Sequence, residues 1–198
     1  MTNYPRPLFQ LIQLLKKLPG VGQKTAERYA FQLLDWKLSD IKLLGHHLTQ
    51  LKDILMKCEN CGCLMETDCK FCKDSSRFCG ILCIVSNAKD VYAIEDTKIF
   101  SGMYYVLSSL LTPFSENSDD QIDLEKIMRF IEVNNIKEVI LALEATIEGD
   151  ATGLFLKEQL SNSGLSISRL AYGIPLGSTL EFIDGGTLSK AITGRQPF

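Results

Sequence analysis

Two cysteine pairs, Cys58-x-x-Cys61 and Cys69-x-x-Cys72, constrain this chain more than any other feature. Each pair is a tight knuckle that can turn two thiolates toward one ion, and seven residues separate the knuckles. Four thiolates complete the tetrahedral shell of a structural zinc and leave no position open for a catalytic water. The spacing therefore predicts a small module over residues 58–79 built around one Zn(2+) per chain, with Cys58, Cys61, Cys69 and Cys72 as ligands. Free buried thiols are the plainer reading of the same pairs. Cys63 is close enough in sequence to exchange with Cys61. Cys79 and Cys83 read as a surface or core thiol, Cys83 lying inside the apolar run ILCIV. Both histidines, His46 and His47, fall outside the knuckles.

The compartment bears on that reading. The N-terminal stretch MTNYPRPLFQ lacks the layout of a secretory signal, and no apolar run is long enough to span a bilayer. A cytoplasmic location without membrane contact is the expectation. A reducing compartment then gives seven cysteines a reason other than disulfides.

Before the cysteines, residues 1–57 carry nine basic against four acidic side chains, whereas residues 58–198 carry twelve against twenty. A basic arm on an acidic body suits contact with a polyanion, or else it is a solvated helical face. Within the arm, LFQLIQLLKKL repeats apolar residues at helical spacing, and Pro19-Gly20-Val21-Gly22 breaks it. A second helix follows over about 23–36 and a third over about 39–56. The segment reads as a helix-hairpin-helix. Gly20 and Gly22 permit a tight turn with bare backbone, and the second helix starts there with free N–H groups for a phosphate oxygen. Lys24 and Arg28, four residues apart, share one face and can reach adjacent phosphates. Such contacts position a protein on DNA without reading sequence. A plain αα-hairpin is the alternative.

From residue 80 the pattern alternates. Apolar runs ILCIV, MYYVLSSL, KEVILAL and LSISRLAYG read as four strands, separated by helices at AKDVYAIEDT, SDDQIDLEKIMRFIEVN and GDATGLFLKEQLSNS. The expectation is an α/β domain over 80–172 with a mostly parallel sheet flanked by helices, and a short C-terminal segment over 173–198.

The order L-P-G-V-G-x-K-x-A-x-R, four cysteines, small α/β domain, Gly173-Ile174-Pro175, Gly194-Arg195 resembles the bacterial recombination mediator family RecR. DVYAIE (90–95), EGDAT (148–152), YGIPLG (172–177) and Thr187-Leu188-Ser189 match its pattern, and the resemblance runs from about 8 to 195. It implies a Toprim fold for the α/β part. It also implies a non-catalytic DNA-binding role in recombinational repair, helping RecA load onto SSB-coated single-stranded DNA with the partners RecO and RecF. A homodimer or ring-like homotetramer is implied too, formed through the N-terminal region, with Lys24 and Arg28 lining a central opening. The segment from Thr187 to Arg195 reads as a short helix and tail able to pack across a subunit boundary.

Catalytic Toprim domains carry a Glu after the first strand and D-x-D after the third, which hold a divalent cation for phosphoryl transfer. Here these positions read Ser86 and Glu144-Ala145-Thr146. Glu144, Glu148 and Asp150 either gather a weakly held Mg²⁺ or are solvent-facing acids at a helix start. A divergent Toprim nuclease or topoisomerase-like enzyme is the alternative function. The chain also departs from the family at Ser86, where most members keep Glu, and over Phe114–Asp119, where most have a glycine-rich loop.

Overall fold

A computed structural model describes residues 4–112, 122–195 and 197. The departure over Phe114–Asp119 lies outside them. The described chain divides into two compact units, Met1–Leu55 and Met56–Phe198.

The first unit is three helices, α1 (Arg6–Leu15), α2 (Gln23–Leu34) and α3 (Leu38–Ile54). α1 begins two residues before the apolar repeat, because Pro5 and Pro7 supply a ready-made start. It packs against α2 through Ile12, Ala26 and Ala30, the unit's fully buried side chains. Two of those three are alanines, which let the helix backbones come close. α3 has no buried residue. Apolar side chains therefore remain exposed on this unit, among them Phe31, Leu34, Trp36, Leu38 and Leu48.

The second unit opens with a two-stranded ribbon, β1 (Met56–Lys57) antiparallel to β2 (Leu64–Met65), that carries the first knuckle at its tip. A four-stranded sheet follows: β3 (Ile81–Val85), β4 (Met103–Val106), β5 (Glu138–Ala142) and β6 (Ser166–Arg169), in the order β4-β3-β5-β6. All neighbours are parallel. Helices α4 (Ala88–Glu95), α5 (Leu124–Val133) and α6 (Ile147–Leu160) make the crossovers that parallel strands require. This is the α/β architecture expected from the alternation. β3 and β4 are buried along almost their whole length, as strands covered on both faces must be.

The helix starts are chosen by side chains. Asn87 and Asp90 form a reciprocal capping box on α4. Asp123 accepts from the Lys126 N–H at 3.0 Å on α5, and Thr146 from the Gly149 N–H at 3.1 Å on α6. α6 thus starts two residues earlier than the sequence pattern suggests. Gly149 is needed at that start: a Cβ there would lie 2.0 Å from the Glu144 carbonyl oxygen. A last helix, α7 (Gly185–Thr193), is capped by Asp184. The cysteine knuckles and the sheet share one apolar core, in which Cys61, Cys69 and Phe71 pack with β3 and β4.

Candidate nucleic-acid interface and metal centre

Pro19 to Gly22 turns the chain between α1 and α2. Gly20 has φ +75°, the left-handed region a side chain disfavours, and Val21 N–H closes the turn on the Leu18 carbonyl at 3.1 Å. Gly22 is the N-cap of α2 in ordinary extended backbone, with no side-chain cap and no acid in the first turn. A Cβ at Gly20 or Gly22 would meet nothing within 4 Å, so the turn's backbone faces open space. The positive end of the α2 dipole is therefore uncovered. Lys24 and Arg28 are exposed on α2 and make no ion pair among the described residues. Arg28 lies over the Tyr29 ring at 5.5 Å. Lys16 and Lys17, at the end of α1, are exposed just before the turn. They are not among the residues that the sequence pattern picks out. Their signal was position, immediately ahead of Leu18-Pro19-Gly20.

The ligand atoms of Cys58, Cys61, Cys69 and Cys72 all lie within 4.8 Å of one another. Cys58 Sγ is 3.5 Å from Cys72 Sγ, and Cys61 Sγ is 3.4 Å from Cys69 Sγ. A disulfide needs about 2.0 Å, and tetrahedral thiolates at zinc stand about 3.8 Å apart. All seven cysteines are free. The two knuckles repeat one geometry. Cys58 accepts N–H groups from Cys61 and Asn60, and Cys69 accepts them from Phe71 and Cys72. Burial acts to raise the Cys58 thiol, but these donors outweigh it and hold it below the ordinary value. At Cys69 burial wins and the thiol is raised. Burial, then the Cys61 sulfur, pushes Cys72 up strongly. A hydrogen bond with Cys63, then burial, does the same at Cys61. Four sulfurs so crowded and buried become thiolates together only around a cation, and the donor set suits a structural metal ion. Cys63 is buried beside them but stands outside the converging four. Cys83 is buried in β3 and pushed up to about 12 by burial, whereas Cys79 is exposed.

The knuckle is fixed to the sheet. Gly62 N–H donates to the Cys58 carbonyl and Val106 N–H to the Cys61 carbonyl, both at 2.8 Å. Gly62 has φ +75°, and a Cβ there would sit 2.7 Å from the Val106 carbonyl oxygen.

At the carboxyl ends of β3 and β5, where the strand order reverses, the Ser86 hydroxyl accepts from Glu144 N–H at 3.2 Å. The three acids do not gather there. Among the described residues the cysteines are the one group of three or more ligand side chains that converges. Asp150 is instead taken by cations: it pairs with Arg169, accepts from Tyr172 at 2.8 Å and from Lys190 at 3.2 Å. These partners, Arg169 first, hold its carboxyl down at about 2. Arg169 and Lys190 also lie on the Tyr172 ring, at 4.8 and 3.9 Å. The weak Mg²⁺ site considered from the sequence loses Asp150 to a latch that holds α7 against α6.

No helix among the described residues is long and apolar enough to cross a membrane. Residues 8–52 match the family model of the RecR helix-hairpin-helix, 80–171 that of the Toprim domain, and 173–196 that of the RecR C-terminal region. The recombination protein RecR of Protochlamydia amoebophila is 43% identical over 197 residues, covering 99% of this chain and 100% of the relative. That of Chlamydia abortus is 46% identical over 201 residues, covering 100% of both chains. With its hairpin, its sheet domain and its C-terminal segment each matched by a family model, and relatives 43% and 46% identical along its length, this chain belongs to the RecR family.

Proposed function

We propose that this protein is a non-catalytic DNA-binding mediator of recombinational repair. The single observation that carries the reading is the hairpin: bare glycine backbone, an α2 N-terminus with no side-chain cap, and Lys24 and Arg28 with no ion pair among the described residues stand together on an exposed turn. Phosphate oxygens fit that set of donors, and no base edge is needed. Gly20 and Gly22 admit the backbone of the DNA, and Lys24 and Arg28 neutralise it. Within the family role, RecO and RecF are its partners, and RecA loading onto SSB-coated single-stranded DNA is the step it assists. Seven free thiols suit the reducing cytoplasm.

The cysteine centre holds one Zn(2+) through Cys58, Cys61, Cys69 and Cys72, in a structural role. The chain acts as a homodimer or homotetramer. The support is the N-terminal unit, which among the described residues buries only Ile12, Ala26 and Ala30 and leaves a broad apolar face exposed. One two-helix hairpin offers few phosphate contacts, and several copies gain by multivalency. The enzymatic alternative has less behind it, since Ser86 stands in an acid's place and Asp150 is paired with Arg169 and Lys190.

The test is a DNA-binding series in salt on wild type and on Lys24→Ala/Arg28→Ala, with light scattering on the same samples. Weaker binding with a flatter salt dependence supports the reading. Equal binding across the series sinks the DNA-contact assignment, and a monomeric mass unchanged by DNA sinks the assembly. Plasmid cleavage in Mg²⁺ or Mn²⁺ by the purified protein would revive the enzyme.

A further inference from the structure

The second knuckle encloses Phe71 between Cys69 and Cys72, and that ring is buried. Its neighbours belong to the α/β domain. Tyr104 of β4 meets it edge-on at 5.4 Å between centroids, and Tyr92 of α4 at 6.1 Å. The guanidinium of Arg77, in the 3-10 turn Ser75–Arg77 just after the knuckle, lies over Phe71 at 5.2 Å and over Tyr104 at 5.7 Å. Arg77 donates from Nη1 to the Gly102 carbonyl and to Glu95 Oε1, each at 3.0 Å, and its Nη2 also meets Glu95. Tyr104 donates its hydroxyl to the same Glu95 oxygen at 2.7 Å. Glu95, the last residue of α4, thus accepts from two of the three groups that pack on the Phe71 ring.

We propose that Glu95 and Arg77 are positioning residues for the metal centre: they clamp Phe71, and through it the Cys69–Cys72 knuckle, and so set how long the protein keeps its ion. The inference rests on the zinc reading above. The physical argument is one of stranded charge. Arg77 and Glu95 side chains are only 16% and 26% exposed, so neither is well solvated without the other. Removing the carboxylate leaves Arg77 with a carbonyl and two ring faces. It then turns to water and uncovers Phe71. The knuckle loses the contact that fixes its two sulfurs, and the ion escapes sooner. Groups that orient ligands without touching the metal typically change its retention by about 10–100-fold. Glu95 carries no role in the zinc shell or in DNA contact, so the clamp gives this acid of DVYAIE its task.

The experiment follows zinc release from the purified full-length protein into an excess of a chromogenic chelator. Glu95→Gln and Arg77→Gln are each expected to release zinc at least about tenfold faster than wild type, and the double variant no faster than either single one. Asp150→Asn breaks a different ion pair of the same unit and is expected to release at the wild-type rate. Tyr104→Phe removes one hydroxyl and keeps the ring, which guards against a variant that fails to fold; it is expected to release about threefold faster. Wild-type rates for Glu95→Gln and Arg77→Gln, or for Tyr104→Phe where those two do not fold, overturn the inference. An equal acceleration in Asp150→Asn also overturns it, since that reports general loosening. Wild type purified without zinc sinks the metal reading and this inference with it, whereas full zinc with unchanged release sinks this inference alone.

Discussion

The N-terminal and C-terminal units place their chemistry in opposite directions. Among the described residues, the first unit buries Ile12, Ala26 and Ala30 and holds Lys24, Arg28 and two glycines on the outside. In the second unit the four cysteines face one another, Glu95 faces Arg77 and Tyr104, and Asp150 faces Arg169 and Lys190, and each set holds pieces of the fold together. The same residue types would read alike in a composition table. The difference lies in whether each polar group already has a partner. Where it has none, the surface is free to take a ligand. Where it is fully engaged, the group serves the structure.

Four experiments test that contrast. The largest effect belongs to Cys61→Ser, which removes a fully buried sulfur from the four. Its zinc content should fall to background, and the second unit should lose more than about 4 kcal/mol of stability. Metal analysis and thermal unfolding read this out; retained zinc would mean that Cys63 takes the vacated place. Next is Gly149→Ala, whose Cβ would fall 2.0 Å from the Glu144 carbonyl oxygen. Backbone cannot yield as a side chain can, so a loss of about 3 kcal/mol, or about 10 °C in Tm, is expected. An unchanged Tm would show that the first turn of α6 moves freely.

The third experiment concerns the outward-facing unit. Lys24→Ala/Arg28→Ala should weaken DNA binding at least about tenfold and reduce the log–log salt slope by about two, for every sequence alike. Stability should stay within about 0.5 kcal/mol of wild type, because both side chains are exposed. A large loss of stability would break the contrast, since the unit's surface would then be structural. The smallest effect is Asp150→Asn. Its carboxyl is lowered from 3.8 to about 2, so its stabilisation is present above the ordinary value and is lost as pH falls through about 2. The side chain is 40% exposed, so screening keeps the contribution under about 1 kcal/mol. Comparing wild type and variant by acid unfolding between pH 5 and pH 2, the gap should close as pH falls. A constant gap would assign the effect to Tyr172 packing instead of charge.

Much of the fold was legible because local patterns carry it. Periods of three and four marked α1 and α2, and the short apolar runs marked all four strands of the sheet. Boundaries slipped where a single side chain decides them. Thr146 moved the start of α6, and the run MYYVLSSL gave a strand of only Met103–Val106, after which the backbone joins the knuckle and a loop. The ribbon β1–β2 is too short to show a period: the sequence pattern carries the third helix on to about 56, and β1 takes Met56–Lys57 instead. The converging cysteines were visible because their ligand spacing is local. The fate of Asp150 was not visible, since its partners Arg169, Tyr172 and Lys190 are 19, 22 and 40 residues away. Glu95 was hidden for the same reason, with Arg77 arriving from 18 residues earlier.

The bond between the Cys61 carbonyl and Val106 has a consequence in time. Its two ends are 45 residues apart in the chain. At about 5–20 residues per second, the first knuckle leaves the ribosome roughly 2–9 s before the strand that covers it. During that interval the nascent chain presents its thiols without their roof, open to any ion or oxidant. If the site takes a metal, metal supplied while the chain is being made should raise the yield of assembled molecules more than metal added after release, a difference that expression with early and late metal addition would measure.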